Sequence, residues 1–217
     1  MLLLALDTAT PAVTVAVHDG EHLLAESLAV DSRRHGELVA PGIARVLLDA
    51  GVTARDLTHV AVGVGPGPFT GLRVGLVTAR VLSATLAIPL HGVCTLDVLA
   101  ADVTIDGPFV VATDARRREV YVAEYAGPAD RSTDPTVRRP TDLALELRAL
   151  PCAGEGPRLY PDELPNGIDP QLPRAGTLAA LVRRRIDAGG AGLLPAHPLY
   201  LRRPDAAEPG RRKSVLA

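Results

Sequence analysis

Two aspartates are the residues of this sequence whose type and position most suggest chemistry. Asp7 and Asp114 each end an apolar stretch typical of a buried strand, in LLLALD and PFVVATD. Two carboxylates at such strand ends can flank a cleft and hold a metal ion that is bound to phosphate. Each residue also fits a simple turn-forming aspartate, whose side chain bonds to the backbone two residues on. The sequence leaves both interpretations open.

A glycine-rich loop, GPGPFTGLRVG at 65–75, is the second candidate. A P-loop needs a lysine followed by serine or threonine, but this loop has Leu72 and Arg73 there. A dinucleotide-binding loop needs its third glycine one position earlier than Gly71. Two interpretations remain: glycines that allow a sharp turn with close backbone approach, or a helix N-terminus that attracts an anion.

The helix predicted after this loop, at about 70–87, carries two separate apolar arcs. One arc contains Leu72, Leu76, Ala79, Leu82 and Leu86, and the other contains Val74, Val77, Val81 and Ala84. Arg73 and Arg80 lie between the arcs on one side, and Thr78 and Thr85 on the other. Such a helix either packs on its own sheet with one arc and on a partner with the other, or is sandwiched within its own domain.

Metal-site and disulfide patterns are not found in the sequence. The six histidines form no HExxH pattern, so we predict no metal site. Cys94 and Cys152 lie far apart without a CxxC pair, which favours free thiols in a reducing cytoplasm. The apolar start MLLLAL meets Asp7 and is predicted to be a strand rather than a signal peptide, and no membrane association is expected.

Composition bounds the class of protein. The chain has 217 residues, a formal net charge of −2 and a sequence pI near 6.3, and 47% of it is hydrophobic. These values predict a soluble globular protein of one domain or two small halves. A near-neutral surface lacks the basic footprint of nucleic-acid binders, so any contact with RNA is expected to be indirect.

The order of predicted elements indicates an α/β fold that restarts half-way. The first half contains strands at 2–7, 12–18, 22–30, 59–65 and 90–93, with helices near 36–50, 70–87 and 95–101. The second half contains strands at 108–115, 120–125 and 150–153, with helices near 141–149 and 177–188. Because both halves open with an Asp-terminated strand, we infer a weak internal duplication. Pro41 either kinks the first helix or marks its start.

Five segments carry a resemblance to a known family. They are LDTAT at 6–10, HGELVAP at 35–41, GPGPFTGLRVG at 65–75, TDARRREVYVA at 113–123 and PLYLRRPDA at 198–206. In order and spacing the chain resembles the TsaB (YeaZ) family. The resemblance implies a two-lobed fold of the actin-like ATPase, sugar kinase and Hsp70 (ribonuclease H-like) superfamily, each lobe starting with a β-meander. We place the first lobe at 1–105, the second at 106–201, and a flexible tail at 202–217.

The resemblance also implies a role. Proteins of this family are subunits of the machinery that adds a threonylcarbamoyl group to N6 of adenosine-37 in tRNA. It implies a non-catalytic subunit that pairs with the catalytic paralogue TsaD and works with the small ATPase TsaE, contacts tRNA indirectly, and can form a homodimer when isolated. The first two helices are the usual docking surface. The predicted interface residues are Val39, Ile43, Val46, Phe69, Arg73, Leu76, Val77 and Arg80.

Departures from the catalytic paralogue set further expectations. Thr95 and Leu99 stand where the paralogue has two metal-binding histidines. Superfamily ATPases need glycine soon after each strand-end aspartate, but this chain has Ala9 in one loop and arginines at 116–118 in the other. We therefore expect no independently bound cofactor, with ATP or ADP held only at a shared interface. The alternative is an ATP-dependent kinase or ATPase that uses Asp7 and Asp114.

Overall fold

The structure of the protein is a computed structural model, and it describes residues 1–202. The tail predicted at 202–217 lies, after its first residue, outside the described residues. Ten strands form two five-stranded sheets in this part of the chain. The helices described are α1 (His35–Asp49), α2 (Phe69–Leu86), α3 (Thr95–Ala101), α4 (Leu145–Arg148), α5 (Gly156–Leu159) and α6 (Ala175–Asp187).

The first sheet begins with an antiparallel meander and continues with parallel strands. Its strands are β1 (Leu3–Asp7), β2 (Ala12–His18), β3 (Leu23–Val30), β4 (His59–Gly63) and β5 (Leu90–Val93), in the spatial order β3-β2-β1-β4-β5. β1 is antiparallel to β2 and parallel to β4. Every residue of β1 and β2 is buried, because helices cover both faces of the sheet at its centre.

Each face of the first sheet packs on a different helix layer. One face places Leu4, Leu6 and Val62 against α1 and α2. The opposite face places Ala5 and Ala16 against α6. The alternation of side chains along each strand therefore builds two separate cores around one sheet.

The second sheet repeats the topology of the first. Its strands are β6 (Phe109–Asp114), β7 (Val120–Gly127), β8 (Asp130–Arg131), β9 (Thr136–Arg138) and β10 (Cys152–Ala153). β7 is antiparallel to β6, β10 is parallel to β6, and both β8 and β9 pair with the outer edge of β7. β6, β7 and β10 thus correspond to β1, β2 and β4. The internal duplication and the β-meander at the start of each lobe are confirmed.

The last part of the described chain returns to the first lobe, which corrects the predicted boundaries. The helix predicted at 177–188, assigned to the second lobe, is α6, and it packs on the first sheet. Its first amide, Ala175 N, donates to Thr14 Oγ1 at 2.9 Å. Leu194 then pairs with Gly92 of β5. Helical periodicity shows that α6 forms but not which sheet it covers.

Other differences from the sequence predictions are local. The helix predicted at 141–149 is a 3₁₀ turn at Pro140–Asp142 followed by the single turn α4. Pro41 lies inside α1, which begins at His35, so the proline does not mark its start. Strands β8 and β9 and helix α5 are too short for a periodic pattern to indicate them.

The two lobes are joined on one side by a half-buried carboxylate. Asp97 of α3 accepts hydrogen bonds from Arg131 of β8 at 3.0 Å, from Tyr125 of β7 at 3.0 Å and from Arg185 of α6 at 2.9 Å.

Both cysteines are buried and unpaired. None of the helices in residues 1–202 has the length and apolar character needed to cross a bilayer.

Candidate protein-docking face

Helix α2 has one buried and one exposed apolar face. Leu72, Leu76 and Ala79 pack into the core of the first lobe with at most 2% of their surface exposed. Val77 and Val81 are each 58% exposed. The two predicted arcs therefore differ in burial, because Val77 and Val81 of the second form an apolar strip that faces solvent, while its Val74 is half-buried against the core. Ala84 extends this strip and is also exposed.

The strip borders a groove between α1 and α2. The groove has a volume of about 520 Å³ and is lined by Gly36, Val39, Phe69, Thr70, Arg73, Val74, Val77 and Thr78. Most of this lining is apolar, and Phe69 is 44% exposed at one end. An exposed apolar surface with an aromatic residue and an arginine at its edge is typical of a protein-binding site.

Three of the predicted interface residues are buried, although Val39 also lines the groove. Val39, Val46 and Leu76 are buried in the core between the two helices and the first sheet. Ile43 is half-buried against the same core. These positions were predicted because they are apolar, but periodicity alone cannot tell the core-facing side of a helix from a docking side. The remaining predicted residues, Phe69, Arg73, Val77 and Arg80, lie at the surface.

Sequence reasoning missed Tyr200, which completes this surface. Its ring stacks on Phe69 with centroids 5.5 Å apart, and its hydroxyl accepts a hydrogen bond from Arg73 Nε at 2.7 Å. The Arg73 guanidinium also lies 3.4 Å from the centroid of the Phe69 ring. Tyr200 belongs to the PLYLRRPDA segment, so the signal was present in the sequence, but its position 127 residues from Arg73 gave no hint of contact.

The loop before α2 contacts the segment after β1, the start of α3 and strand β7 of the second lobe. A Cβ on Gly67 would lie 2.1 Å from the Ala9 carbonyl oxygen, so only glycine allows this approach. Gly65 N donates to Thr95 Oγ1 at 3.2 Å, and Tyr121 donates to the Gly67 carbonyl at 3.3 Å. The loop has a cis peptide bond between Gly65 and Pro66. The close-approach interpretation of its glycines is confirmed.

Asp7 is sealed beneath this loop. Its carboxylate accepts hydrogen bonds from the Ala9 amide at 2.7 Å and from the Thr95 hydroxyl at 2.7 Å, and none of the residue is exposed. Burial raises the pKa of Asp7 to about 6, against the opposing effect of these two hydrogen bonds. Thr95, which stands where the paralogue has a histidine, is thus occupied as a partner of Asp7. Of the two interpretations left open for Asp7, this geometry fits the turn-forming aspartate, whose side chain accepts from the backbone amide two residues on.

Asp114 does open on a cavity. A cavity of about 440 Å³ is lined by Asp114, Arg116, Glu155 and Arg158 together with residues of the first lobe. Asp114 pairs with Arg116 at 3.1 Å. Glu155 is 4% exposed, and its Oε2 atom has no hydrogen-bond partner in the described chain. Burial, and secondly the charge of Asp114, raise the pKa of Glu155. Residues 1–202 contain no group of three or more His, Cys, Asp or Glu side chains that could hold a metal ion.

Comparisons with known proteins agree with the fold and the motifs. The model of the TsaD family, tRNA N6-adenosine threonylcarbamoyltransferase, matches residues 23–160. The chain is 32% identical to the Bacillus subtilis tRNA threonylcarbamoyladenosine biosynthesis protein TsaB over 126 residues, which is 58% of this chain and 55% of that protein. The solved YeaZ structure from Pseudomonas aeruginosa superposes with a TM-score of 0.78 at 28% identity, over 92% of this chain and 99% of that one. The chain belongs to the TsaB (YeaZ) family.

This membership fits the wider comparisons. An uncharacterized protein of Mycobacterium tuberculosis is 42% identical to this TsaB-family chain over 205 residues, which cover 94% of the chain and 92% of the relative. A dehydratase activator from Clostridium difficile has a TM-score of 0.52 at 8% identity, which shows a shared fold alone. The predicted two-lobed actin-like fold is confirmed.

Proposed function

We propose that this TsaB-family chain is a non-catalytic subunit of the cytoplasmic machinery that makes threonylcarbamoyladenosine in tRNA. In this proposal the exposed face of α1 and α2 docks the catalytic paralogue TsaD, the small ATPase TsaE joins the complex, and tRNA is bound mainly by the partners. The observation that carries the proposal is the exposed apolar strip of α2. Val77 and Val81 are each 58% exposed beside the α1–α2 groove.

The family match supports TsaD as the partner. The chain itself matches the TsaD family model over residues 23–160, which include both docking helices. Two related chains can meet through the same helices in a nearly two-fold contact, in which each supplies an α1–α2 pair. An isolated chain would form the equivalent homodimer only weakly if the heterodimer is the evolved contact.

The non-catalytic part of the proposal rests on the sealed carboxylate. Asp7 has its oxygens occupied and is buried, so it is poorly placed to hold a metal bound to phosphate. Any ATP or ADP would then be held at an interface shared with a partner. Calorimetry of the purified chain with ATP and magnesium separates this proposal from the alternative of an ATP-dependent kinase or ATPase. Tight binding with turnover would establish the alternative.

A charged residue in the apolar strip tests the docking face. We expect the double variant Val77→Asp and Val81→Asp to fold normally, because exposed helix positions tolerate such changes within about 0.5 kcal/mol. Its affinity for the paralogue should fall more than about 100-fold, since an unpaired carboxylate buried in an interface costs roughly 3 kcal/mol or more. Titration calorimetry with the purified paralogue measures this loss.

The matched control is Leu145→Asp. Leu145 is 73% exposed on α4 of the second lobe, outside the α1–α2 face, so its replacement should leave the affinity unchanged. Modification of tRNA by the reconstituted complex, with and without this chain, gives the functional readout. Unchanged binding of the Val77→Asp and Val81→Asp variant would show that the docking face is elsewhere.

A further inference from the structure

Two arginines border the exposed strip of α2. Arg73 and Arg80 are seven residues apart, so they lie on the same side of the helix about 10 Å from each other along its axis. Val77 lies almost midway between them. The whole of α2, FTGLRVGLVTARVLSATL, contains no acidic residue. The docking helix therefore carries two positive charges beside its apolar strip.

Neither arginine is neutralised within the described chain. Arg73 Nε donates to the Tyr200 hydroxyl at 2.7 Å, and Arg80 Nε donates to the Ala196 carbonyl oxygen at 2.9 Å. Both acceptors are uncharged and belong to the returning C-terminal segment. In residues 1–202 no carboxylate forms an ion pair with either guanidinium.

The charged residues of α1 behave differently. Arg34 pairs with Glu37 at 3.1 Å, and Arg45 pairs with Asp49 at 2.6 Å. Glu37 and Asp49 of α1 are therefore already paired with arginines, one directly before the helix and one within it. Arg73 and Arg80 differ from Arg34 and Arg45 in that, among residues 1–202, they contact neutral acceptors and form no ion pair.

A guanidinium whose hydrogen-bond acceptors are neutral favours an ion pair with a carboxylate of another molecule. Its planar group still offers terminal N–H donors, and these bind a carboxylate with defined geometry. Covering the groove with a partner would also remove water from these charges. An unpaired charge is costly in such an interface, so the partner has to supply the opposite charge.

We propose that the α1–α2 face selects a partner whose docking face carries two carboxylates about 10 Å apart, and that the same arginines disfavour a second copy of this chain. A two-fold axis near Val77 would set Arg73 of one copy beside Arg80 of the other. Like charges in contact oppose that pairing. The inference rests on the proposed function and adds the chemical reason for choosing an acid-bearing paralogue over self-association.

Charge reversal tests the first part of the inference. The double variant Arg73→Glu and Arg80→Glu should bind the purified paralogue at least about tenfold more weakly than the wild-type chain, because opposed charges become like charges. Wild-type binding should weaken as salt rises from low to high ionic strength, and the variant should lose this dependence. The control makes the same charge change in the second lobe, with Arg138→Glu and Arg139→Glu, and should bind as the wild type does.

Mixing of copies tests the second part. Sedimentation of the wild-type chain mixed with the Arg73→Glu and Arg80→Glu variant should show stronger association between the two than either shows with itself. No gain on mixing would overturn the exclusion of a second copy. Circular dichroism and unfolding in urea establish that each variant is folded before it is compared.

The outcomes separate this inference from the proposed function. If Val77→Asp with Val81→Asp abolishes binding but Arg73→Glu with Arg80→Glu does not, the docking face stands and the charge selection is wrong. If neither pair of changes weakens binding, the docking face itself is wrong. If both double variants lose affinity and the second-lobe control does not, the docking face and the charge selection are both supported.

Discussion

The first strand of each lobe ends in an aspartate, and the two lobes surround that aspartate differently. Asp7 pairs in register with Thr14 of β2, and Asp114 pairs with Val120 of β7, so they occupy corresponding places in the two sheets. Asp7 is fully buried under the glycine-rich loop, whereas Asp114 lies beside a cavity and pairs with the exposed Arg116. The strand-end carboxylate of the first lobe is therefore part of the packed interior, whereas that of the second lobe borders a cavity.

This difference changes what the first lobe can offer to other molecules. The loop that covers Asp7 leads directly into α2, whose outer face carries the exposed valines. In the proposed function the first lobe therefore acts through the surface of α2 rather than through its strand-end carboxylate. Changes in each of the two lobes can break or sharpen this comparison.

The largest effect is expected from Gly63→Ala. A Cβ at this position would lie 1.9 Å from the Asp7 Oδ2 atom, and both groups are buried. Because neither can move without disturbing the core, we expect the free energy of unfolding to fall by about 3 kcal/mol or more. Urea unfolding followed by circular dichroism measures it. Gly127 of β7 has open space around its Cβ position. Gly127→Ala should therefore change the stability by less than about 0.5 kcal/mol, and equal effects would refute the sealed description of Asp7.

The next effect is the pH dependence that Asp7→Asn should remove. The pKa of Asp7 rises from 3.8 to about 6 on folding, so between these values the folded state holds a proton that the unfolded state has released. The contribution of Asp7 to stability is therefore present below pH 4 and is lost as pH rises through 6. The total loss is up to about 3 kcal/mol, from about 1.4 kcal/mol for each pKa unit.

Asparagine carries no such charge and keeps the shape of the side chain. The stability of Asp7→Asn relative to the wild type should accordingly be higher at pH 7 than at pH 4 by up to about 3 kcal/mol. Denaturant unfolding of both proteins at the two pH values gives the difference. If the relative stability is the same at pH 4 and pH 7, Asp7 is not titrating from a buried state.

The smallest effect is expected from Asp114→Asn. Asp114 pairs with Arg116, whose side chain is 55% exposed, so water screens the ion pair. The free energy of unfolding should change by less than about 1 kcal/mol. The same unfolding measurements apply. A loss as large as that of Gly63→Ala would mean that the second strand end is as tightly built as the first.

Much of the fold could be predicted from local sequence patterns. Apolar stretches ending in Asp7 and Asp114 indicate the two first strands, and the Asp19-Gly20 turn indicates the hairpin of β2 and β3. The family motifs, including the glycine-rich loop, lie in order along the chain. The short strands β8 and β9 escaped prediction because they exist only through pairing with β7, which is a tertiary contact.

The candidate site was predicted only in part. The sequence by itself determined that α2 forms and that it has two apolar arcs, since both follow from residue types spaced along one helix. Only the tertiary structure decided that Leu76 faces the core and Val77 faces solvent, because that depends on which side of α2 meets the sheet. It also decided that Tyr200 reaches Arg73 and that α6 returns to the first sheet. These contacts join residues far apart in the chain, and periodicity along the sequence contains no information about such distances.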